Sequence, residues 1–113
     1  MHIKSYHVAK RKTKTEVKKG VLSQIPIKID KVEKKLLDCE ILRAAIIAEL
    51  DAVNLYEQLA AAITNENIRK VLLEIAREEK THVGEFQTLL LREDKEQVKE
   101  LEKGEKEVKE ITE

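Results

Sequence analysis

Few residues in this 113-residue chain suit a turn or a stacked ring: it has 3 Gly, 1 Pro, 2 Tyr, 1 Phe and no Trp. Strands draw on aromatic and β-branched residues and need turns between them, so this scarcity argues against a sheet and for long helices. The single cysteine, Cys39, excludes an internal disulfide. Without a Cys-x-x-Cys pair, a rubredoxin-type iron centre on this chain is excluded as well. No apolar run approaches the roughly 18 residues a membrane span requires, and no secretory core is present. The chain therefore reads as soluble and cytoplasmic, with no membrane contact.

Charge is plentiful, with 22 basic and 22 acidic residues, but it is unevenly placed. Residues 1–29 carry eight Lys or Arg and one acidic residue, leaving 14 basic and 21 acidic residues to the remainder. That first stretch has no sustained helical period and is broken by Gly20 and Pro26, so it reads as a basic N-terminal arm ahead of a helical domain at 30–113. A solvated tail or packing strap is the plain reading of such a charge block. Tyr6 is its one aromatic residue, so stacking on bases has little support and no nucleic-acid partner is expected. Docking onto the acidic helices of a neighbouring subunit is a further reading.

From Asp30 onward the pattern becomes helical. Asp30 and Glu33 have the spacing of a capping box, and no Gly or Pro follows until Gly84, which predicts a helix from about 31 to 63. One stripe of it holds Leu37, Ile41, Ala45, Ala48, Ala52, Tyr56 and Leu59, and a second holds Leu42, Ile46, Leu50 and Val53. A helix apolar over so much of its girth needs cover on more than one side. A Thr64 or Asn65 cap opens a second helix to about Leu91, buried along Ile68, Val71, Leu72, Ile75, Val83, Phe86, Leu89 and Leu90. Asp94 and Gln97 cap a third, shorter helix, which Gly104 is expected to interrupt. The expectation is an all-α fold: an antiparallel two-helix hairpin plus a short C-terminal helix, completing a four-helix bundle by dimerisation.

Glu79 and His82 form Glu-x-x-His on the second helix, a spacing that puts both side chains on one face. With 18 Glu and 3 His in the chain, such a pair arises by chance on the order of half the time, so the motif alone decides nothing. Its position is more telling, because Ile75, Glu79, His82 and Phe86 follow one another along the stripe that otherwise buries apolar residues. On the first helix Glu49 lies in the same way among Ala45, Ala52 and Tyr56, with no basic residue on its stripe. Carboxylates in such places need compensation, and a divalent cation supplies it. A ferritin-like di-iron site takes a Glu from each of two helices and a Glu-x-x-His from each of two others, so this chain carries half a set. Two copies about a two-fold axis would complete it and would cover the second apolar face of the first helix.

The segments AIIAELDAVNLYEQLA and ENIRKVLLEIAREEKTHVGEFQTLLL resemble the encapsulated ferritins, over about residues 40 to 112. The resemblance implies that Glu49, Glu79 and His82 are ferroxidase ligands and catalytic residues, with Tyr56 an aromatic beside the centre. It further implies iron as the metal, a homodimer that completes the site, a larger ring-like oligomer and an encapsulin shell as partner. Oxygen ligands with limited imidazole also admit Mn, Zn or Co as substitutes. Leu55 stands where some relatives carry Trp, the basic arm lies outside the pattern, and no encapsulin-targeting tail is recognised. The expected function is oxidation of Fe(II) to Fe(III) for iron storage or detoxification. A rubrerythrin-like peroxide-reducing protein and a metal-free helical assembly module are the alternatives.

Overall fold

The computed structural model describes residue 24 and residues 33–113, and every regular element among them is helical. Helix α1 spans Lys34–Ala62, α2 spans Glu66–Glu93 and α3 spans Lys95–Thr112. The three-residue link between α1 and α2 turns them into an antiparallel hairpin packed along its length, while α3 touches the hairpin far less. The expected all-α architecture is therefore what forms. No helix among the described residues is long and apolar enough to cross a membrane.

Helix α1 starts later than its sequence pattern suggests. Its N-cap is Glu33, which makes no side-chain cap hydrogen bond, so Glu33 is not the third residue of a capping box. A Glu side chain is one methylene too long to fold back as Asp or Ser does. Asp30 and, Gln24 apart, the basic arm of residues 1–29 lie outside the described residues.

The hairpin tip is closed by two side chains. The Asn65 carboxamide oxygen accepts from the Asn67 and Ile68 amides at 2.9 and 3.1 Å, capping α2 as expected. Arg69 reaches back to the other helix, with Nε donating to the Ala60 carbonyl at 3.0 Å and Nη2 donating to the Ile63 carbonyl. The guanidinium thus satisfies carbonyls at the end of α1 that a C-cap glycine would otherwise help to serve. We expect Asn65→Ala to lower unfolding free energy by about 1 kcal/mol and Asn65→Asp to preserve it, because only the cap acceptor is lost. Denaturant unfolding measures both, and equal loss in the two variants would mean that the cap is not the cause.

At the other end a single residue, Asp94, joins α2 to α3. Its carboxylate accepts from the Gln97 amide at 3.0 Å and from Arg43 Nη2 at 2.7 Å, so one side chain both caps α3 and ties it to α1. The Gln97 amide first and Arg43 second hold this carboxyl below the usual Asp range. Contrary to expectation, α3 runs through Gly104 unbroken. A glycine costs a helix about 1 kcal/mol relative to Ala, too little to stop one that is capped at Asp94 and carries pairs such as Glu105–Lys109.

Among the described residues the buried apolar ones are few: Cys39, Val53, Ala60, Ala76 and Leu90. Ala60 and Ala76 are the most enclosed, since small side chains let the two backbones approach. The stripe expected on α2 is buried only in part. Leu90 is enclosed and Leu72, Ile75, Val83 and Phe86 are half-buried, whereas Ile68, Val71 and Leu89 are exposed. A two-helix hairpin covers one side of each helix, and these helices are apolar on more than one.

Candidate metal centre

Glu49 projects from the middle of α1 and Glu79 and His82 from the middle of α2, one helical turn apart. The hairpin brings the three together: one ligand atom from each can be chosen so that all lie within 4.8 Å of one another. His82 Nδ1 lies 2.8 Å from Glu79 Oε1 and 3.4 Å from Glu49 Oε1. Across the helices, therefore, the imidazole bridges both carboxylates. The sequence placed these donors along a core line, but they sit at its open edge, with side-chain exposures of 21% for Glu49, 18% for Glu79 and 46% for His82. The reason is the one that leaves Val71 and Leu89 exposed: among the described residues no third helix packs over that face.

The electrostatics of the cluster follow from crowding. A hydrogen bond with Glu79 does most to hold the Glu49 carboxyl above the usual Glu range; desolvation and Glu79's charge add to it, and His82 opposes it. Partial desolvation pulls the imidazolium of His82 down, but hydrogen bonds to Glu79 and Glu49, with their charges, outweigh it and leave His82 above the ordinary imidazole range. Both shifts mean that protons are held where two acids converge on one imidazole. A divalent cation competes for the same lone pairs and relieves the same repulsion. Two carboxylates and an imidazole whose ligand atoms lie within 4.8 Å of one another suit iron, manganese or zinc as a donor set.

Tyr56 is half-buried on the α1 stripe that carries Glu49, but it is not among the three converging donors. Among the nearby acids, Glu57 is paired with Lys80 across the hairpin at 3.4 Å, while Glu78 and Glu85 face solvent. The Arg43–Asp94 tie and the Arg69 cap escape a sequence reading. Arg43 and Asp94 are 51 positions apart and no local spacing joins them, whereas Arg69 three residues after Glu66 looks like an ordinary surface pair.

Comparison with known proteins places this geometry in context. The chain is 67% identical over 73 residues to the ferritin-like-encapsulin shell fusion protein of Pyrococcus furiosus, a match covering 65% of this chain and 21% of that protein. It is 39% identical over 69 residues to the encapsulin nanocompartment cargo protein EncC of Myxococcus xanthus, covering 58% of this chain and 53% of that one. The chain thus spans about a fifth of the first relative and about half of the second. The crystal structure of the encapsulated ferritin domain from Pyrococcus furiosus superposes with a TM-score of 0.70 at 60% identity, over 80% of this chain and 95% of that one. Residues 40–113, which include all three donors, match the rubrerythrin family, and the chain belongs to that family.

Proposed function

We propose that the chain is a ferroxidase: two copies pair across the open face of the hairpin and oxidise Fe(II) as substrate between them. The observation that carries this reading is the convergence of Glu49, Glu79 and His82 at an uncovered edge, half of a di-iron donor set. A two-fold axis there would supply four carboxylates and two imidazoles, with Glu49, Glu79 and His82 of each chain the residues that would hold the ions. Residues 30–113 form the catalytic domain and residues 1–29 a separate basic arm. Tyr56 packs beside the centre without ligating.

The protein's residues do three things in this scheme. Glu49 and Glu79 neutralise incoming Fe(II), His82 gives up its shared proton to make a nitrogen available, and the helices keep both ions close together. Each of two Fe(II) ions loses one electron; dioxygen takes both, with two protons, to give hydrogen peroxide, or peroxide takes them to give water. The names of the encapsulin-associated relatives support action within an encapsulin nanocompartment; on this reading the protein is cytoplasmic and iron storage or detoxification is the outcome. Membership in the rubrerythrin family favours one second reading, a peroxide reductase fed by an external donor; peroxide consumption that tracks added reductant rather than Fe(II) would single it out.

Anaerobic Fe(II) titration should saturate near one iron per chain, and admission of air should then oxidise it. Affinity should fall with falling pH, because the His82 and Glu49 protons that the metal displaces are held more tightly than usual. The decline should set in at higher pH than for an isolated imidazole. Absence of binding, or of oxidation after air, eliminates the enzyme.

A further inference from the structure

The C-terminal helix is fastened to the hairpin over a short stretch. Asp94 alone joins α2 to α3, and its backbone, at φ −118° and ψ 89°, leaves the helical region and breaks the line between them. Past that joint Gln97 and Val98 are half-buried, but from Lys99 to Glu113 every residue except Gly104 is exposed. The part of α3 from Lys99 to Thr112, roughly 20 Å of helix, therefore projects from a single turn of attachment.

Apolar packing grips that turn loosely. Leu101, the first large apolar residue after it, is 45% exposed, and with Ile46, Ile47, Leu90 and Leu91 it lines an open groove of about 330 Å³ instead of closing it. Close-packed side chains would lock the rod in place; a groove does not. An ion pair stands at the same spot. Arg43 Nη2 of α1 donates to the Asp94 carboxylate at 2.7 Å, and Nη1 of the same guanidinium donates to Glu40 at 3.2 Å. The Asp94 side chain is only 16% exposed, which shelters the contact, while Arg43 is 43% exposed and within reach of dissolved ions.

We propose that Asp94 is a hinge and Arg43 its latch: α3 turns as one rigid rod about the joint, and the Arg43–Asp94 pair holds it in the orientation seen. With the latch engaged, Val108 and Ile111, 58% and 83% exposed, point in one fixed direction from the hairpin. With it released, the same helix sweeps a range of angles. Ionic strength is the trigger, because screening shortens from about 10 Å at 0.1 M salt to about 3 Å at 1 M and weakens a pair that solvent ions can approach.

Distance measurement between two spin labels tests this in the full chain. Nitroxides on Gln58→Cys and Lys106→Cys, both exposed positions, in a Cys39→Ala background report the angle of α3 to α1. Dilution with excess unlabelled protein restricts the readout to distances within one chain. The parent should give one narrow distribution at low salt. Arg43→Gln should broaden it about twofold, as a freed hinge does, with helicity by circular dichroism unchanged. Arg43→Lys, which keeps the charge, should narrow it again, and 1 M salt should move the parent toward Arg43→Gln. Arg77→Gln removes an ion pair internal to α2 and should change nothing. A distribution that stays narrow in Arg43→Gln overturns the proposal, since packing at Gln97 and Val98 would then suffice to hold the rod. So does a parent that is already broad at low salt, a parent indifferent to 1 M salt, or equal broadening in Arg77→Gln. No metal enters these measurements, so the latch stands or falls apart from the ferroxidase reading.

Discussion

Replacing Glu79 by Ala is expected to lower the initial rate of Fe(II) oxidation by on the order of a hundredfold or more, because even outer-shell partners of a metal site cost up to that much when removed. The change deletes a carboxylate that both approaches Glu49 and accepts from His82 at 2.8 Å, and in a pair of chains it deletes two. Helicity should survive, since Glu79 closes no cap and lies at the edge of the core. Glu78→Ala is the matched control: the side chain is exposed and outside the cluster, so its rate should stay near that of the parent. An undiminished rate in Glu79→Ala would mean that the ligands are elsewhere.

A comparable loss should follow from Ile41→Asp, which leaves every donor in place. Ile41 is 47% exposed on the α1 stripe that leads to Glu49, and it shares a shallow groove with Leu89, itself 44% exposed. As a lone hairpin the protein tolerates Asp there, because water still solvates the new carboxylate. In a two-fold pair the substitution buries two of them, at a cost of several kcal/mol. Each 1.4 kcal/mol is about a tenfold weaker association, so at micromolar protein the chain should run as a monomer in sedimentation and oxidise Fe(II) about a hundredfold more slowly. A variant that stays dimeric would remove Ile41 from the interface; a monomer that oxidises at the parental rate would show that one chain suffices.

The helices were legible in the sequence because local rules govern them. Asn65 and Asp94 cap by a reach of two or three residues, and apolar spacing marks the stripes without knowledge of the partner. The three donors were legible for a related reason: Glu49 and the Glu79–His82 pair interrupt apolar lines, and such interruptions need compensation. What could not be read was how much of each stripe one chain covers. Val71 and Leu89 match the pattern of buried residues and are exposed, because burial depends on a partner surface that spacing does not describe. Gly104 misled for the opposite reason, since a modest backbone cost was weighed without the cap and ion pairs that offset it.

The Asp94 tie has a consequence for the molecule under acid stress. A carboxyl with a depressed folded-state pKa lends stability above its unfolded value and loses it only as pH drops through the lower one. Glu49 and His82, by contrast, reclaim protons early in the same descent. Under the proposed function, mild acid therefore discharges the metal cluster while the elbow beneath the C-terminal rod stays locked, leaving an intact scaffold to reload when neutrality returns.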